Sequence, residues 1–520
     1  MTSTTTFAHT VAFLGIEPRV IEIQVQVAPG LPTFQLVGLP NKTVAESKER
    51  IRATFYSLGF SLPPKRITIN LAPADLPKEG SHYDLPIAIG LLVHLGVLPK
   101  ESCDNYLSMG ELGLDGKLTI EYGVLPSAST AKKLNKGFIC PSQNFEEANI
   151  SGNTNILAPK NLFDLIGYWK NSKSFESVIK HSFENSKEKD LSTLENSKYS
   201  LDMSDILGQS YAKKAAEIAA AGGHHLLMIG PPGAGKSMLA ARMPSILPKL
   251  SVDQALETTT VYSLAGMLKD HHLLNNAPFR APHHTASLPS LVGGGSRSKP
   301  GEISLAHNGI LFLDEMPEFS RSALEALRQP LENYTINVSR ANYHVTYPAR
   351  FQLIAAMNPC RCGFFSDSKK QCHRIPICAQ DYQTKISGPL MDRFDLVAYM
   401  STTPFEDLDK KNTTKKETSM DIKNRVENAR KRQYKRSIEW FNQPILNAHL
   451  GASMLKECQQ LSDDCHGFLE KVYNHYQLSA RSYHRLLKIC QTIADLQEVD
   501  IVEPHHITQA LQFRFVPVVG

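Results

Sequence analysis

The stretch GPPGAGKS, Gly230 to Ser237, has the residue types and the spacing to hold a nucleoside triphosphate. In a G-x4-G-K-S loop the glycines let backbone N–H groups wrap phosphate oxygens at a helix N-terminus. The lysine reaches the β- and γ-phosphates, and the hydroxyl can ligate Mg²⁺. Gly230, Pro231, Pro232, Gly233, Ala234, Gly235, Lys236, Ser237 and Met238 are therefore the expected nucleotide contacts, with ATP and Mg²⁺ as cofactors. Hydrolysis also needs an apolar strand that ends in acids. Ile310 to Leu313 leads into Asp314, suited to hold Mg²⁺ with Ser237, and Glu315, suited to polarise the attacking water. Another buried-strand signal, Phe351 to Met357, ends in Asn358, whose amide can orient that water. Arg393, in SGPLMDRFDL, and Arg481, in LSARSYHR, are the candidate guanidinium groups. A spare arginine outside a protein's own pocket usually serves a neighbour's site, where it offsets charge in the transition state.

A second group of residues points to a metal. Cys360, Cys362, Cys372 and Cys378 crowd into the segment 359–386, between Asn358 and Arg393. Two close thiolates followed about ten residues later by two more can close a tetrahedral Zn²⁺ site. The first pair is C-x-C rather than C-x-x-C, and either Cys378 or His373 must complete the set; a reduced, metal-free loop is the alternative. The other five cysteines, Cys103, Cys140, Cys458, Cys465 and Cys490, read as scattered core or surface thiols, and His283 and His284 as structural or pore-adjacent residues.

Cations suited to a polyanion form a third group. Residues 332–350, ENYTINVSRANYHVTYPAR, alternate like two strands around a Ser-Arg-Ala-Asn turn, with Arg340 at its tip. The loop GGGSRSKPG carries Arg297 and Lys299. Such groups can grip phosphates without reading bases. The stretch 424–436, NRVENARKRQYKR, is rich in Arg and Lys but equally fits a solvated helix face.

The elements that must position these groups follow from periodicity. Val20 to Val27 and Arg66 to Leu71 alternate as half-buried strands, and Lys42 to Leu58 has the period of a surface helix. The run HLLMI precedes the phosphate loop as a strand, with a helix over 211–221 before it. Helical patterns recur at 421–436, 452–460, 463–475, 480–497 and 505–512. Between the two α/β regions, composition shifts to Ser, Lys, Glu and Asn, as in a linker. The expected division is 1–170, a flexible linker 171–203, an ATPase domain 204–403 with the Cys-rich insert, and a helical unit 404–520. A length of 520 residues suits about three domains. The net charge of +5 permits a polyanionic partner without demanding one. The start of the chain lacks a basic region before an apolar core, and the apolar run Leu85 to Leu98 is too short to span a bilayer, so a cytoplasmic protein is expected.

With these pieces assembled, the chain resembles the magnesium-chelatase-like AAA+ ATPases, and specifically the ComM/YifB family. The resemblance runs through FQLVGLP (34–40), NLAPADLPKEG (70–80), DLPIA (84–88), FRAPHHTAS and PGEISLAHNGILFLDEMPEF. It implies an α/β multidomain protein with an N-terminal Lon-protease-like (ribosomal S5 domain 2-like) domain, a central AAA+ module and a C-terminal helical lid. It further implies a homohexamer in which Arg393 acts in trans and Arg481 acts as sensor 2. Proteolysis is not expected, because His82 stands where a Lon-type serine would be and Pro126 occupies the lysine's neighbourhood; a dyad of Ser81 with Lys132 or Lys133 has no spacing to support it. Metal chelation lacks a D-x-S-x-S site. The resemblance favours an ATP-driven branch-migration helicase that works on single-stranded and branched DNA in natural transformation, with recombination machinery as a partner. A protein-remodelling AAA+ machine and a metal-chelatase-like motor subunit are the alternatives.

Overall fold

The computed structural model describes residues 5–170, 201–268, 272–294, 299–340, 343–363, 372, 377–402 and 416–514. Of the expected linker, 171–200 lie outside these residues, whereas 201–203 already belong to the central unit, where Met203 is buried. Principal elements are numbered in chain order.

The N-terminal unit is built on a four-stranded sheet, β1 (Thr6–Leu14), β2 (Glu17–Ala28), β3 (Thr33–Val37) and β4 (Arg66–Ala72), in the order β1-β2-β4-β3. Only the β3–β4 pair is parallel. Ile21, Ile23 and Val25 of β2 and Ile67, Ile69 and Leu71 of β4 face the core. The alternate face is polar, where Asn70 donates to Gln24 Oε1 at 2.9 Å. Helix α1 (Lys42–Ser57) starts at Asn41, whose side chain accepts from the Val44 N–H, and buries Val44, Ile51 and Phe55. Helix α2 (Asp84–His94) is buried continuously from Asp84 to Leu92, which explains the apolar run: this is a core helix. Asp84 is fully buried and meets Arg50 of α1 through two hydrogen bonds of 2.6 and 2.9 Å.

Beyond α2 the unit adds a small parallel sheet, β5 (Tyr106–Ser108), β6 (Gly137–Ile139) and β7 (Ile156–Leu157), and helix α3 (Val124–Lys133) between β5 and β6. No serine–lysine pair forms from the residues considered in sequence. Ser81 donates to Glu111 Oε2 at 2.6 Å, and Lys132 donates to Ser151 O. His82 is buried with Nε2 2.8 Å from the Val11 carbonyl oxygen.

The central unit is a parallel sheet flanked by helices. Helix α4 (Ser210–Gly222) leads to β8 (Leu226–Ile229), followed by α5 (Lys236–Arg242) and α6 (Val252–Ala265). Next come β9 (Phe279–Arg280), β10 (Ile310–Leu313), the antiparallel hairpin β11 (Thr335–Arg340) and β12 (Tyr343–Pro348), β13 (Gln352–Met357) and β14 (Leu396–Tyr399). The sheet order is β9-β10-β13-β8-β14. Strands β8, β10 and β13 are buried at every position, and apart from Gln352 at the start of β13 they are apolar runs, as strands covered on both faces require.

The C-terminal helices include α7 (Ser419–Phe441), α8 (Asp463–Tyr476), α9 (Ala480–Leu496) and α10 (Pro504–Gln512). They share one hydrophobic core with α4 and β8, which joins Ala216 and Leu226 to Val426, Leu486 and Ile493. The chain after α10 closes over the strand starts, where Val397 N–H donates to Phe513 O at 2.7 Å.

Two contacts seat the N-terminal unit on the central one. Ser263, near the end of α6, donates to Glu147 at 2.5 Å, while Gly123 N–H donates to Ser263 O. The β1–β2 turn also presses on the β11–β12 hairpin: a Cβ at Gly15 would lie 2.8 Å from Thr346 O, and Leu14 and Ile16 pack against the core beneath.

Two expectations follow. Asp84→Ala strands the Arg50 guanidinium and should cost about 3–5 kcal/mol in chemical denaturation, against less than about 1 kcal/mol for breaking the exposed Arg19–Glu17 pair. Acid should also weaken the fold. Burial holds the His82 and His225 imidazoles down to about 4 and that of His449 to about 3, and His225 Nδ1 accepts from Leu353 N–H in its neutral form. Between pH 6.5 and about 4 the unfolded chain therefore binds more protons. The melting temperature should be level above pH 6.5 in this respect and fall as pH drops through that window.

Candidate active site

Parallel strands send their C-terminal ends to one edge of the sheet, and the phosphate loop lies there. Gly230 leaves β8 with its N–H donating to Met357 O at 3.2 Å, and Met400 N–H donates to Ile229 O at 2.8 Å. A side chain at Gly230 would meet Met400 O at 2.4 Å, so the strand exit admits only glycine. Gly235 is left-handed, with φ 89°, and hands the chain to α5 at Lys236.

Lys236 is folded back into the loop. Its Nζ donates to Gly230 O at 2.6 Å, Pro231 O at 2.9 Å and Asn358 Oδ1 at 3.0 Å. Burial pulls its pKa below the usual lysine value, opposed by the charges of Asp314 and Glu315. Ser237 donates to Asp314 Oδ2 at 2.6 Å. Glu315 sits in left-handed backbone at φ 49°, with its carboxylate about half exposed. The sheet order makes this possible: β10, β13 and β8 are neighbours, so Asp314, Asn358 and the loop meet. Such an arrangement can wrap phosphate oxygens with backbone N–H groups, offer a hydroxyl and a carboxylate to a divalent cation, and leave Glu315 open to water. Met238 is exposed beside the loop.

Sequence reasoning missed one neighbour. His284, read above as structural or pore-adjacent, lies with Nδ1 3.8 Å from Glu315 Oε2 and its ring 4.1 Å from that of His283. The signal was topological: β9 pairs with β10, so the chain leaving β9 emerges beside the acids that end β10.

The arginines occupy the opposite end. Arg393, just before β14, is 5% exposed; it donates to Pro389 O and pairs with Glu332. Burial lowers its pKa, opposed by the Glu332 charge. Arg481, at the start of α9, is 3.9 Å from the same Glu332 oxygen. Both line a cavity of about 310 Å³ with Arg485, Lys488 and His225, the last of these preceding β8. Arg481 thus joins Arg393 at the strand starts, and its partner there is Glu332 rather than this chain's own phosphate loop.

The four cysteines converge. The Sγ atoms of Cys360, Cys362, Cys372 and Cys378 all lie within 4.8 Å of one another, and those of Cys360 and Cys362 are 3.2 Å apart. Tetrahedral zinc–thiolate bonds of about 2.3 Å place sulfurs about 3.8 Å apart, so the donor set fits such an ion. Cys378 is in the set; His373 lies outside the described residues. Among the described residues no cysteine forms a disulfide.

The cationic candidates divide. Arg297 lies outside the described residues. Arg340 ends β11 opposite Tyr343. Lys299 is turned into the boundary between the two units, its Nζ 4.7 Å from the centre of the Tyr122 ring. The basic helix α7 spends many of its cations on packing: Arg425 pairs with Glu217 and Glu417, Arg436 with Asp495, and Arg430 donates to Ala220 O. Those three residues are committed to contacts with α4, α9 and Glu417 rather than to a solvated face.

Comparison with known proteins adds three family matches. Residues 202–408 match the model "Magnesium chelatase, subunit ChlI", 23–144 match "Subunit ChlI of Mg-chelatase", and 416–514 match "Magnesium chelatase, subunit ChlI C-terminal". The chain is 42% identical to the competence protein ComM of Haemophilus influenzae, over 97% of this chain and 96% of that protein. It is 41% identical to YifB of Escherichia coli, over 98% and 96% respectively. A more distant similarity, 28% over 201 residues, covers 39% of this chain and 21% of the DNA helicase MCM8 of Bos taurus.

Substitutions at the loop edge should separate binding from hydrolysis. Lys236→Ala should abolish retention of a fluorescent triphosphate. Glu315→Gln should retain it but turn over at least about a hundredfold more slowly, with bound nucleotide and released phosphate as the two measurements. His284→Ala should lower kcat with little change in nucleotide affinity.

Proposed function

The chain belongs to the ComM/YifB family of magnesium-chelatase-like AAA+ proteins, and on that premise we propose that it is an ATP-driven DNA branch-migration helicase. It would act on single-stranded and branched DNA during homologous recombination of incoming strands in natural transformation. The observation that carries the motor part of this reading is the separation of Lys236 and Glu315 from Arg393 and Arg481 by the length of the sheet. One chain holds both halves of a hydrolytic site but at opposite ends, so a ring, here a homohexamer, would bring one subunit's arginines to the next subunit's phosphate loop.

In that ring Lys236 would exchange its contacts with Gly230, Pro231 and Asn358 for phosphate oxygens. Ser237 and Asp314 would hold Mg²⁺, which neutralises charge on the phosphates. Asn358 would orient the water that Glu315 polarises, and Arg393, buried against Glu332 in the single chain, would have to leave that carboxylate to reach a neighbour's loop. Cys360, Cys362, Cys372 and Cys378 would hold a structural Zn²⁺, which supplies cross-linking to a short segment. Support for DNA as the load is the similarity to ComM and to the helicase MCM8, together with the β11–β12 hairpin that ends at Arg340. Arg297 would accompany it, whereas Lys299 would have to leave the Tyr122 ring to do so. Residues 1–170 would form a Lon-like but non-proteolytic domain, 204–403 the AAA+ module and 404–520 the helical domain, in a cytoplasmic protein. No helix among the described residues is long and apolar enough to cross a membrane.

The test joins two measurements. A synthetic branched DNA should raise the ATPase rate, with affinity falling steeply as salt rises, and Arg340→Ala should blunt the stimulation. Chains with Lys236→Ala and chains with Arg393→Ala should each be inactive alone. Mixed one to one, they should recover up to about a quarter of the activity, the share of interfaces that pair an intact loop with an intact arginine. If an unfolded protein stimulates turnover and no DNA does, the load is a polypeptide. If mixing recovers nothing, the arginines do not act between subunits.

A further inference from the structure

The cysteine cluster is not remote from the phosphate loop. Asn358, which accepts from Lys236, is followed by Pro359 and then by Cys360, which is fully buried. The turn from Cys360 closes with Gly363 N–H donating to Cys360 O at 3.0 Å. Gly363, left-handed at φ 82°, then lies flat against Pro232 of the phosphate loop: an added Cβ would stand 2.5 Å from Pro232 Cδ and 2.8 Å from Cγ. On the other side, the helix Ile377–Gln383, which carries Cys378, is tied to the same segment by Gln383 Nε2 donating to Pro359 O at 3.2 Å.

We propose that Gly363 and the Cys360–Cys362 turn are positioning residues for nucleotide binding, with the metal-bound cluster acting as the abutment that holds Pro232 and Asn358 in register. The inference rests on the reading of the four cysteines as a metal site. The physical reason is the absence of slack. The turn touches the loop through a glycine with no room for a methyl group, so a small shift of the turn is passed directly to Pro232. Lys236 is held by two carbonyls at the start of the loop, Gly230 O and Pro231 O, and by one group on the cysteine side, Asn358 Oδ1. Loosening the cysteine side therefore loosens the lysine. Cys372 and Cys378 are partly buried, and a shared ion would tie them to the Cys360–Cys362 turn.

The experiment uses the full chain and reads three quantities: metal content by elemental analysis, affinity for a fluorescent ATP analogue at equilibrium, and KM against kcat. Stripping the metal, or substituting Cys362→Ser or Cys378→Ser, should weaken nucleotide binding about tenfold and raise KM more than it lowers kcat. Added zinc should restore the stripped protein but not the variants. Gly363→Ala should keep its metal yet lose affinity by a similar factor, because its methyl group displaces Pro232. Pro232→Ala in that background removes the Cγ and Cδ atoms it strikes and should recover much of the loss. A wild-type protein that takes up no metal overturns the reading of the cluster itself. A metal that can be removed with nucleotide affinity unchanged, and a Gly363→Ala variant that binds normally, would leave the metal site standing and overturn the coupling.

Discussion

The polarity of five parallel strands governs the rest of the molecule. Every strand of the central sheet runs the same way, so everything that follows a strand gathers at one edge and everything that precedes one gathers at the other. Lys236, Asp314, Glu315 and Asn358 all follow strands. His225, Arg393 and Asp395 precede them, and Gln352 opens β13. The buried apolar runs of β8, β10 and β13 make this polarity rigid, since a one-residue slip would move several core side chains at once. Against such a scaffold the two edges cannot approach each other. On the proposed reading, chemistry that needs both a phosphate-binding loop and an arginine would draw the second half from another copy of the chain.

The strand-start edge is a polar centre under tight constraint. Asp395 accepts from the His225 N–H, Gln352 donates to the carbonyls of Ala219 and His224, and Asn447 bridges Thr492 and Asp495. Burial works against ionisation of Asp395, yet the His224 side chain 3.6 Å away and the charge of Arg485 hold its pKa far below the usual carboxylate range. This network joins the central sheet to α7 and α9, so the C-terminal helices and the sheet form one body with a shared core. Buried hydrogen bonds that cross from one element to another favour one arrangement of those elements. Arg393 and Arg481 take their places from that arrangement.

Much of this was legible in the sequence because its signals are local. A loop of the form G-x4-G-K-S between an apolar run and a helix declares its own geometry, and the alternation in β2 and β4 declares which face is buried. Spacing could group the cysteines but left Cys378 and His373 as alternatives for the last position, and the convergence of the four sulfurs is a matter of the fold. What the sequence could not disclose depends on long-range pairing. The nearness of His284 to Glu315 follows from β9 lying beside β10. Glu332 could not be connected to Arg393 and Arg481, since that link spans three distant segments. The cations of α7 looked available for a polyanion because their partners, Glu217 and Asp495, come from other helices. Lys299 looked like part of a flexible loop, but Tyr122, from the other unit, provides the surface it rests on. Strand β1 passed unnoticed because TFAHTVAFL does not alternate cleanly between apolar and polar residues.

The seat of the β1–β2 turn on the β11–β12 hairpin has a mechanical consequence. Gly15 meets the Thr346 backbone without a spare ångström, and Leu14 and Ile16 sink into the core beneath it. Any force that tilts the hairpin is thereby transmitted as torque to the whole N-terminal unit. That unit would swing with the hairpin or else resist it, like an outrigger fixed to a moving arm.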